Sequence, residues 1–248
     1  MEIQKGWGPF SFKGSSQTGV LVLQGFTGST SSVYPLGKYL ADKGCHVEIP
    51  RLTGHGTRWQ DLNKVSFRDW IRDVEDGLAL LKKRASKIFV AGLSMGGALT
   101  LYLAEKHPEL KGIILVNHML LLHNPALYIT PVLRYIIQSV DGISNDIKDT
   151  NQQEICYDRT PMGGLHELTK LLWTVQKDLR KVIQPCLIFK SRNDHVLPVK
   201  NALYTYQKLL SQEKELVWLE NSYHVATMDN DKELIFKKTL EFINRCSK

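Results

Sequence analysis

The chain has 248 residues, of which 43% are hydrophobic and 23% charged, and its formal net charge is +7. This composition is typical of a globular protein with a sizeable core, and no repeat or low-complexity tract points to a fibrous or disordered chain. The densest basic run, Lys82–Arg84, has no interleaved aromatic residues, which favours a solvated surface over a nucleic-acid site.

The first part of the chain alternates predicted strands and helices. Val20–Leu23 is an apolar run typical of a buried strand, and Val47–Ile49 is a second one, after a helical pattern that stops at Gly44. Ser66 then opens a predicted helix, with Asp69 in a capping-box arrangement. Apolar residues recur along this helix at helical spacing, so we expect it to bury one face.

The next segment, residues 88–98, reads as a strand, a serine flanked by glycines and the start of a helix. Within it, Gly92–Gly96 matches the pattern G-x-S-x-G, which is weak by itself. The strand before it and the helix after it make it typical of a nucleophile elbow, which lifts a serine hydroxyl above the end of a sheet. The alternative interpretation is an ordinary strand-to-helix turn in which Ser94 has no chemical role.

The alternation is interrupted once. After the predicted strand Ile113–Val116, about fifty residues carry many apolar side chains but no clear strand. From near Glu167 the alternation resumes, with strands at Leu187–Phe189 and Leu216–Leu219 and a final helix after them.

This order of elements predicts an α/β fold. Strands separated by helices favour a mainly parallel sheet with helices on both faces. We therefore predict an α/β core made of residues 1–117 and 166–248, with an inserted cap, or lid, at residues 118–165.

A nucleophilic serine needs a base and usually an acid that orients the base. In this architecture the chain order is serine, acid, histidine. His224 is the predicted base, because it follows a late strand and precedes the last helix, and His195 is its rival. Asp194 leaves the end of the preceding parallel strand and is the predicted acid, with a helix cap ahead of Pro198 as the alternative role.

Two backbone N–H groups are predicted to form an oxyanion hole. One belongs to Met95, the residue after the serine, and the other comes from the loop after the first predicted buried strand, where Phe26 is the candidate. N–H groups held in place need no reorganisation when the oxyanion forms.

Together these segments resemble the α/β-hydrolase superfamily, and within it the bacterial monoacylglycerol lipases and related small carboxylesterases. The matching segments are Gly25–Ser29, Pro50–Thr57, Gly92–Gly97 and Asn221–Thr227. The resemblance implies the α/β-hydrolase fold, a catalytic triad of Ser94, Asp194 and His224, and an oxyanion hole formed by Phe26 and Met95.

The resemblance also implies roles for residues outside the triad. In the lipases a cap glutamate helps to hold the glycerol head, and Glu154 has a similar position, while Ile143 matches a cap residue that lines the acyl tunnel. A solvated charge and a packing contact are the alternatives. Gln24 departs from the family, which usually has a histidine there to brace the oxyanion loop. Glutamine can donate and accept hydrogen bonds but cannot titrate, so we expect catalysis to survive.

The function hypothesis is a serine ester hydrolase that cleaves monoacylglycerols through an acyl-enzyme intermediate. A carboxylesterase acting on short-chain, medium-chain or aromatic esters is the alternative, and a non-catalytic protein that binds a lipid-like ligand is a third. Dehalogenases and epoxide hydrolases of this superfamily attack with an aspartate, whose place Ser94 takes. The chemistry needs no metal and no organic cofactor.

The remaining expectations concern location and partners. The four cysteines form no C-x-x-C pair, which argues against a zinc or redox site. No signal-peptide core is recognisable at the start, and the most apolar stretch, Met119–Leu133, is short and carries two prolines. We expect a cytoplasmic monomer or homodimer that takes a small ester with an acyl chain, with no nucleic acid and no stable membrane insertion.

Overall fold

The structure is a computed structural model that describes residues 3–121 and 129–247. Within these ranges the strands are, in chain order, β1 (Phe10–Phe12), β2 (Thr18–Leu23), β3 (His46–Ile49), β4 (Lys87–Leu93), β5 (Gly112–Val116), β6 (Ser139–Asp141), β7 (Arg159–Pro161), β8 (Cys186–Ser191) and β9 (Lys214–Leu219). The α-helices are α1 (Tyr34–Asp42), α2 (Trp59–Leu62), α3 (Phe67–Lys82), α4 (Met95–Lys106), α5 (Thr130–Leu133), α6 (Met162–Asp178), α7 (Lys200–Lys208) and α8 (Lys232–Cys246).

The main sheet has seven strands in the order β1-β3-β2-β4-β5-β8-β9. β1 is antiparallel to β3, and the other neighbours run parallel. β4 and β5 end at paired residues, Leu93 and Val116, and β8 continues two residues past Phe189, the partner of Val116. The predicted α/β fold is confirmed, and the loops after the parallel strands leave along one edge of the sheet, where ligands bind in such folds.

Helices cover both faces of this sheet and bury its apolar side chains. On one face α3, α4 and α6 contribute to a cluster that includes Leu21, Val90 and Leu115. On the other face α1 and α8 contribute to a cluster that includes Val22 and Ile114. Because side chains along a strand alternate between the faces, each central strand supplies both clusters, which explains its continuous apolar sequence.

The third helix begins with the predicted capping box. Ser66 Oγ accepts a hydrogen bond from the N–H of Arg68, and the Asp69 carboxylate accepts one from the Ser66 N–H at 2.9 Å. These bonds satisfy N–H groups that have no acceptor within the first turn of a helix.

The predicted insertion contains a small ribbon of its own. β6 and β7 pair antiparallel, with Ser139 opposite Pro161 and Asp141 opposite Arg159. Residues 122–128 of the predicted cap lie outside the described residues. α6 begins at Met162, a few residues before the helix that the sequence predicts from Glu167. None of the helices in the described ranges is both long and apolar enough to span a bilayer.

Candidate active site

The backbone makes a sharp turn between β4 and α4, and Ser94 lies at its apex. Ser94 has φ 54° and ψ −117°, a conformation that is strained for a residue with a Cβ atom. The turn fits because its glycines allow close approach: a Cβ atom on Gly92 would clash with the carbonyl of Gly96, and one on Gly96 would clash with the carbonyl of Leu23. The Ser94 N–H donates to the Val116 carbonyl at 3.1 Å, which ties the turn to β5.

The predicted acid and base are in contact. The His224 Nδ1 atom lies 3.1 Å from each carboxylate oxygen of Asp194, whose side chain is 1% exposed. Asp194 Oδ1 also accepts the N–H groups of Val196 at 2.9 Å and Leu197 at 2.8 Å. Burial alone would raise the pKa of Asp194, but the imidazole of His224 and the ammonium of Lys190 together hold it well below its usual range. The carboxylate is therefore ionised and can orient the imidazole.

The loop that carries the histidine is held from two sides. Asn117, after β5, donates from Nδ2 to the His224 carbonyl at 2.8 Å. Asp146, in the predicted cap, accepts the His224 N–H at 3.0 Å. The buried carboxylate of Asp229 accepts the N–H groups of Tyr223 and of Lys148, both at 2.8 Å, and so joins the same loop to the cap.

Ser94 and His224 line one cavity of about 380 Å³ between the sheet edge and the predicted cap. Its other walls are largely apolar and include Met119, Val140, Leu165, Leu168 and Val225. The Ser94 hydroxyl has no hydrogen bond to the imidazole among the described contacts. Such bonds are often long without substrate and shorten in the reacting complex.

The rival histidine lies elsewhere. The ring of His195 is 59% exposed, and its Nδ1 atom is 2.7 Å from the Asp146 carboxylate. His195 is not among the residues that line the cavity. His55 is fully buried near the rings of Phe26 and Trp70, and burial lowers its pKa to about 4. A neutral His55 therefore packs behind the candidate oxyanion loop.

The candidate oxyanion residues lie beside the serine. Met95 is the first residue of α4, where an N–H group has no acceptor within the helix. The loop that carries Phe26 passes so close that a Cβ atom on Gly25 would lie 3.3 Å from the Ser94 Cβ atom. Buried Gln24 braces this loop, since its Nε2 atom donates to the Gly28 carbonyl at 2.8 Å.

The two cap residues also reach the cavity. Glu154 lines it, and one carboxylate oxygen accepts a hydrogen bond from Ser32 Oγ at 2.8 Å. Burial raises the pKa of Glu154, and the Ser32 hydrogen bond opposes this rise. Ile143 lines the cavity as well but is 65% exposed, which places it at the mouth.

Sequence reasoning missed Lys190 and Asp146. Lys190 is buried, and its ammonium donates to the Asp194 carboxylate and to the Leu197 carbonyl. A lone lysine directly after the apolar run Leu187–Phe189 was the signal that could have found it. Asp146 lies in a part of the cap with no local pattern, so nothing in the sequence marks its contact with the histidine loop.

No cluster of histidine, cysteine, aspartate and glutamate side chains suited to a metal ion occurs within residues 3–121 and 129–247. The cysteines in this part of the chain are free thiols, and burial raises the pKa of Cys45 to about 11.

Comparison with known proteins gives concordant matches over most of the chain. The sequence profile of the Hydrolase_4 family, described as serine aminopeptidase S33, matches residues 14–231. A thermostable monoacylglycerol lipase of Bacillus sp. (strain H-257) is 43% identical over 227 residues, which cover 90% of this chain and 89% of that protein. A carboxylesterase of Bacillus subtilis (strain 168) is 31% identical over 240 residues, 96% of each chain. A structure from work on LipS and LipT, two metagenome-derived lipolytic enzymes, has a TM-score of 0.95 and 40% identity, covering 98% of this chain and 100% of that one.

Proposed function

The chain belongs to the Hydrolase_4 family of serine hydrolases, and we propose that it is an ester hydrolase that cleaves monoacylglycerols into a fatty acid and glycerol. One observation carries this proposal: Ser94 and His224 line the same cavity, and His224 is hydrogen-bonded to Asp194. Apolar side chains of the core and of the predicted cap line the rest of that cavity. The 43% identity to a monoacylglycerol lipase over 90% of the chain supports the substrate.

The proposed reaction has two halves that use the same groups. In the first, His224 Nε2 takes the proton of Ser94 as the serine oxygen attacks the ester carbonyl carbon. The N–H groups of Phe26 and Met95 hold the oxyanion of the tetrahedral intermediate. When the intermediate collapses, the carbon–oxygen bond to glycerol breaks and the imidazolium protonates the departing oxygen.

In the second half, His224 takes a proton from water as the water oxygen attacks the acyl-serine carbonyl. A second tetrahedral intermediate forms, and its collapse releases the fatty acid while the imidazolium returns a proton to Ser94. Throughout, ionised Asp194 keeps the Nδ1 atom protonated and stabilises the imidazolium. No step requires a metal or an organic cofactor.

The lining of the cavity supports an acyl substrate with a small polar head. Apolar walls such as Leu165 and Leu168 can bury methylene groups, each worth about 0.8 kcal/mol. Glu154 lies beside the oxyanion loop, where a Cβ atom on Gly28 would be 2.9 Å from its carboxylate. Glycerol hydroxyls next to the scissile ester would therefore find an acceptor there. We propose this role for Glu154 and an acyl-contacting role at the mouth for Ile143.

The assembly state and location remain predictions. We propose that a monomer or homodimer suffices, because every residue assigned above comes from one chain. The cytoplasmic location expected from the sequence is retained as part of this proposal.

The test compares hydrolysis of monoacylglycerols of increasing acyl length with hydrolysis of p-nitrophenyl esters and of an aminoacyl p-nitroanilide. We expect monoacylglycerols to give the highest kcat/KM. Equal rates on simple esters would favour the carboxylesterase alternative, which the Bacillus subtilis relative supports. Faster cleavage of the anilide would contradict the ester assignment.

Ser94→Ala is the matched loss-of-function variant. It should lower turnover by roughly five to six orders of magnitude, by analogy with other serine hydrolases, and should abolish labelling by a fluorophosphonate probe. Labelling that persists in this variant would move the nucleophile to another residue.

A further inference from the structure

A lysine lies buried directly behind the candidate acid. Lys190 is next to last in β8, and its side chain is 1% exposed. Its ammonium donates one hydrogen bond to Asp194 Oδ2 and another to the Leu197 carbonyl oxygen, the latter at 2.8 Å. A buried ammonium is strongly unfavourable unless it is paired and hydrogen-bonded, so these two contacts account for its place in the core.

The same two contacts connect Lys190 to the base. Leu197 also donates its N–H to Asp194 Oδ1, so Lys190 closes the loop that presents the carboxylate. On its other side the carboxylate faces the Nδ1 atom of His224, 3.1 Å from each oxygen. One carboxylate is thus shared between an ammonium and an imidazole. When the imidazole is protonated, two cations compete for the negative charge of Asp194.

We propose that Lys190 is a positioning residue that tunes His224 through Asp194: its charge partly neutralises the carboxylate, so the uncharged, base form of the histidine persists to lower pH. This inference rests on the proposed function for its catalytic consequence. If Asp194 contacted only Lys190, the ion pair would do no more than stabilise the loop that carries Asp194. Because Asp194 also contacts His224, the charge of Lys190 affects the pH range of catalysis as well.

The other titratable groups near Lys190 and Asp194 do not account for the proposed effect on His224. Asp146, from the cap, interacts electrostatically with Lys190 and is paired with His195. Glu154, also from the cap, interacts with the imidazole through space. His118, after β5, is fully buried, and burial, with the Lys190 charge as a second cause, lowers its pKa to about 3. A change at Lys190 leaves both cap carboxylates in place, and burial, the larger cause, still holds the pKa of His118 below its usual range.

Lys190→Gln is the sharpest variant, because glutamine keeps two N–H donors but removes the charge. The measurement is kcat/KM for p-nitrophenyl butyrate across the acid limb of the pH profile. We expect the midpoint of that limb to rise by about one pH unit, with the plateau changed only a few-fold. At one unit below the wild-type midpoint, the variant should be about tenfold slower than the wild type. Lys190→Arg keeps the charge and should return the midpoint towards the wild-type value.

The matched control is Lys238→Gln, which removes the same charge from a half-exposed ion pair with Glu215 at 3.1 Å. Its acid limb should coincide with that of the wild type. An unchanged or lowered midpoint in Lys190→Gln would overturn the proposal, and so would an equal shift in the control.

A second readout does not depend on turnover. The NMR titration of the His224 ring should shift to higher pH in Lys190→Gln by the same amount as the acid limb. If the wild type fails to hydrolyse any ester, the proposed function falls, yet this titration still decides the role of Lys190.

If the glutamine variant does not fold, a measurement on the wild type replaces it. The side-chain ¹⁵N resonance of Lys190, assigned by comparison with Lys190→Arg, reports whether the amine is charged. A neutral amine within the acid limb would overturn the proposal.

Discussion

The elbow at Ser94 and the predicted cap border the same cavity but are stabilised by different interactions. At the elbow, close packing of β4, α4 and the glycines beside Ser94 holds the strained backbone of Ser94 in place. The predicted cap is tied to the core by hydrogen bonds to two carboxylates: Asp146 of the cap accepts the His224 N–H, and buried Asp229 accepts the N–H of Lys148 in the cap. Its apolar side chains are left partly in solvent, as Ile143 and Ile136 show. The position of Ser94 thus depends on packing, whereas the shape of the cavity beside the predicted cap depends on a few polar contacts.

The largest expected effect comes from filling space at the elbow. Gly96→Ala would push a methyl group against the carbonyls of Leu23 and Gln24, which belong to the sheet end and cannot move freely. We expect the free energy of unfolding to fall by about 3 kcal/mol and esterase activity to be lost. Gly8→Ala is the control, because nothing lies within 4 Å of its added Cβ atom. Denaturant unfolding measures both, and equal losses in the two variants would contradict the packing argument.

An intermediate effect is expected where the cap holds the histidine loop. Asp146→Ala removes the acceptor of the His224 N–H at 3.0 Å and the partner of the His195 ring. A small displacement of the imidazole should lower kcat/KM by about 30-fold, within the range known for misplaced catalytic groups. Labelling by a fluorophosphonate should slow in parallel.

The control for this cap contact is Asp158→Ala, which removes an exposed aspartate from the same insertion. It should keep the wild-type rate. If Asp146→Ala also keeps that rate, the cap does not position the base.

The smallest effect is expected at Glu154. Glu154→Gln should lower the preference for monoacylglycerols over p-nitrophenyl esters by about tenfold, within the range for the loss of one hydrogen-bond acceptor. Because burial raises the pKa of Glu154, this carboxyl favours the folded state below its unfolded pKa and loses that contribution as pH rises through its folded pKa. The variant should therefore melt higher than the wild type at pH 7 but not at pH 4. Equal melting shifts at both values would contradict this assignment.

The sheet and the elbow could be predicted because their signals are local. An apolar run, a glycine-flanked serine and a helix start occupy eleven consecutive residues, 88–98, and chain order then selects Asp194 and His224. The contact between those two side chains agrees with that selection, while their catalytic role remains a proposal.

The cap and its contacts could not be predicted in the same way. β6 and β7 have three residues each, too few to show an alternating pattern, and they exist because they pair with each other. The short helix α2 lies within residues 50–63, whose many turn residues predict a loop. Lys190 shows a further limit of prediction from sequence. A lysine is unusual in a buried strand, and only the three-dimensional contact with Asp194 explains why it is there.

The amide of Gln24 has a practical consequence for redesign. A side chain with no ionisable proton supports the loop from Gln24 to Gly28 equally well in acidic and alkaline solution, so the bond that braces this loop does not depend on pH. The pH range of activity and the geometry of the loop after β2 can therefore be varied separately. Substitutions at Lys190 in β8 would change the first, and substitutions at Gln24 would change the second.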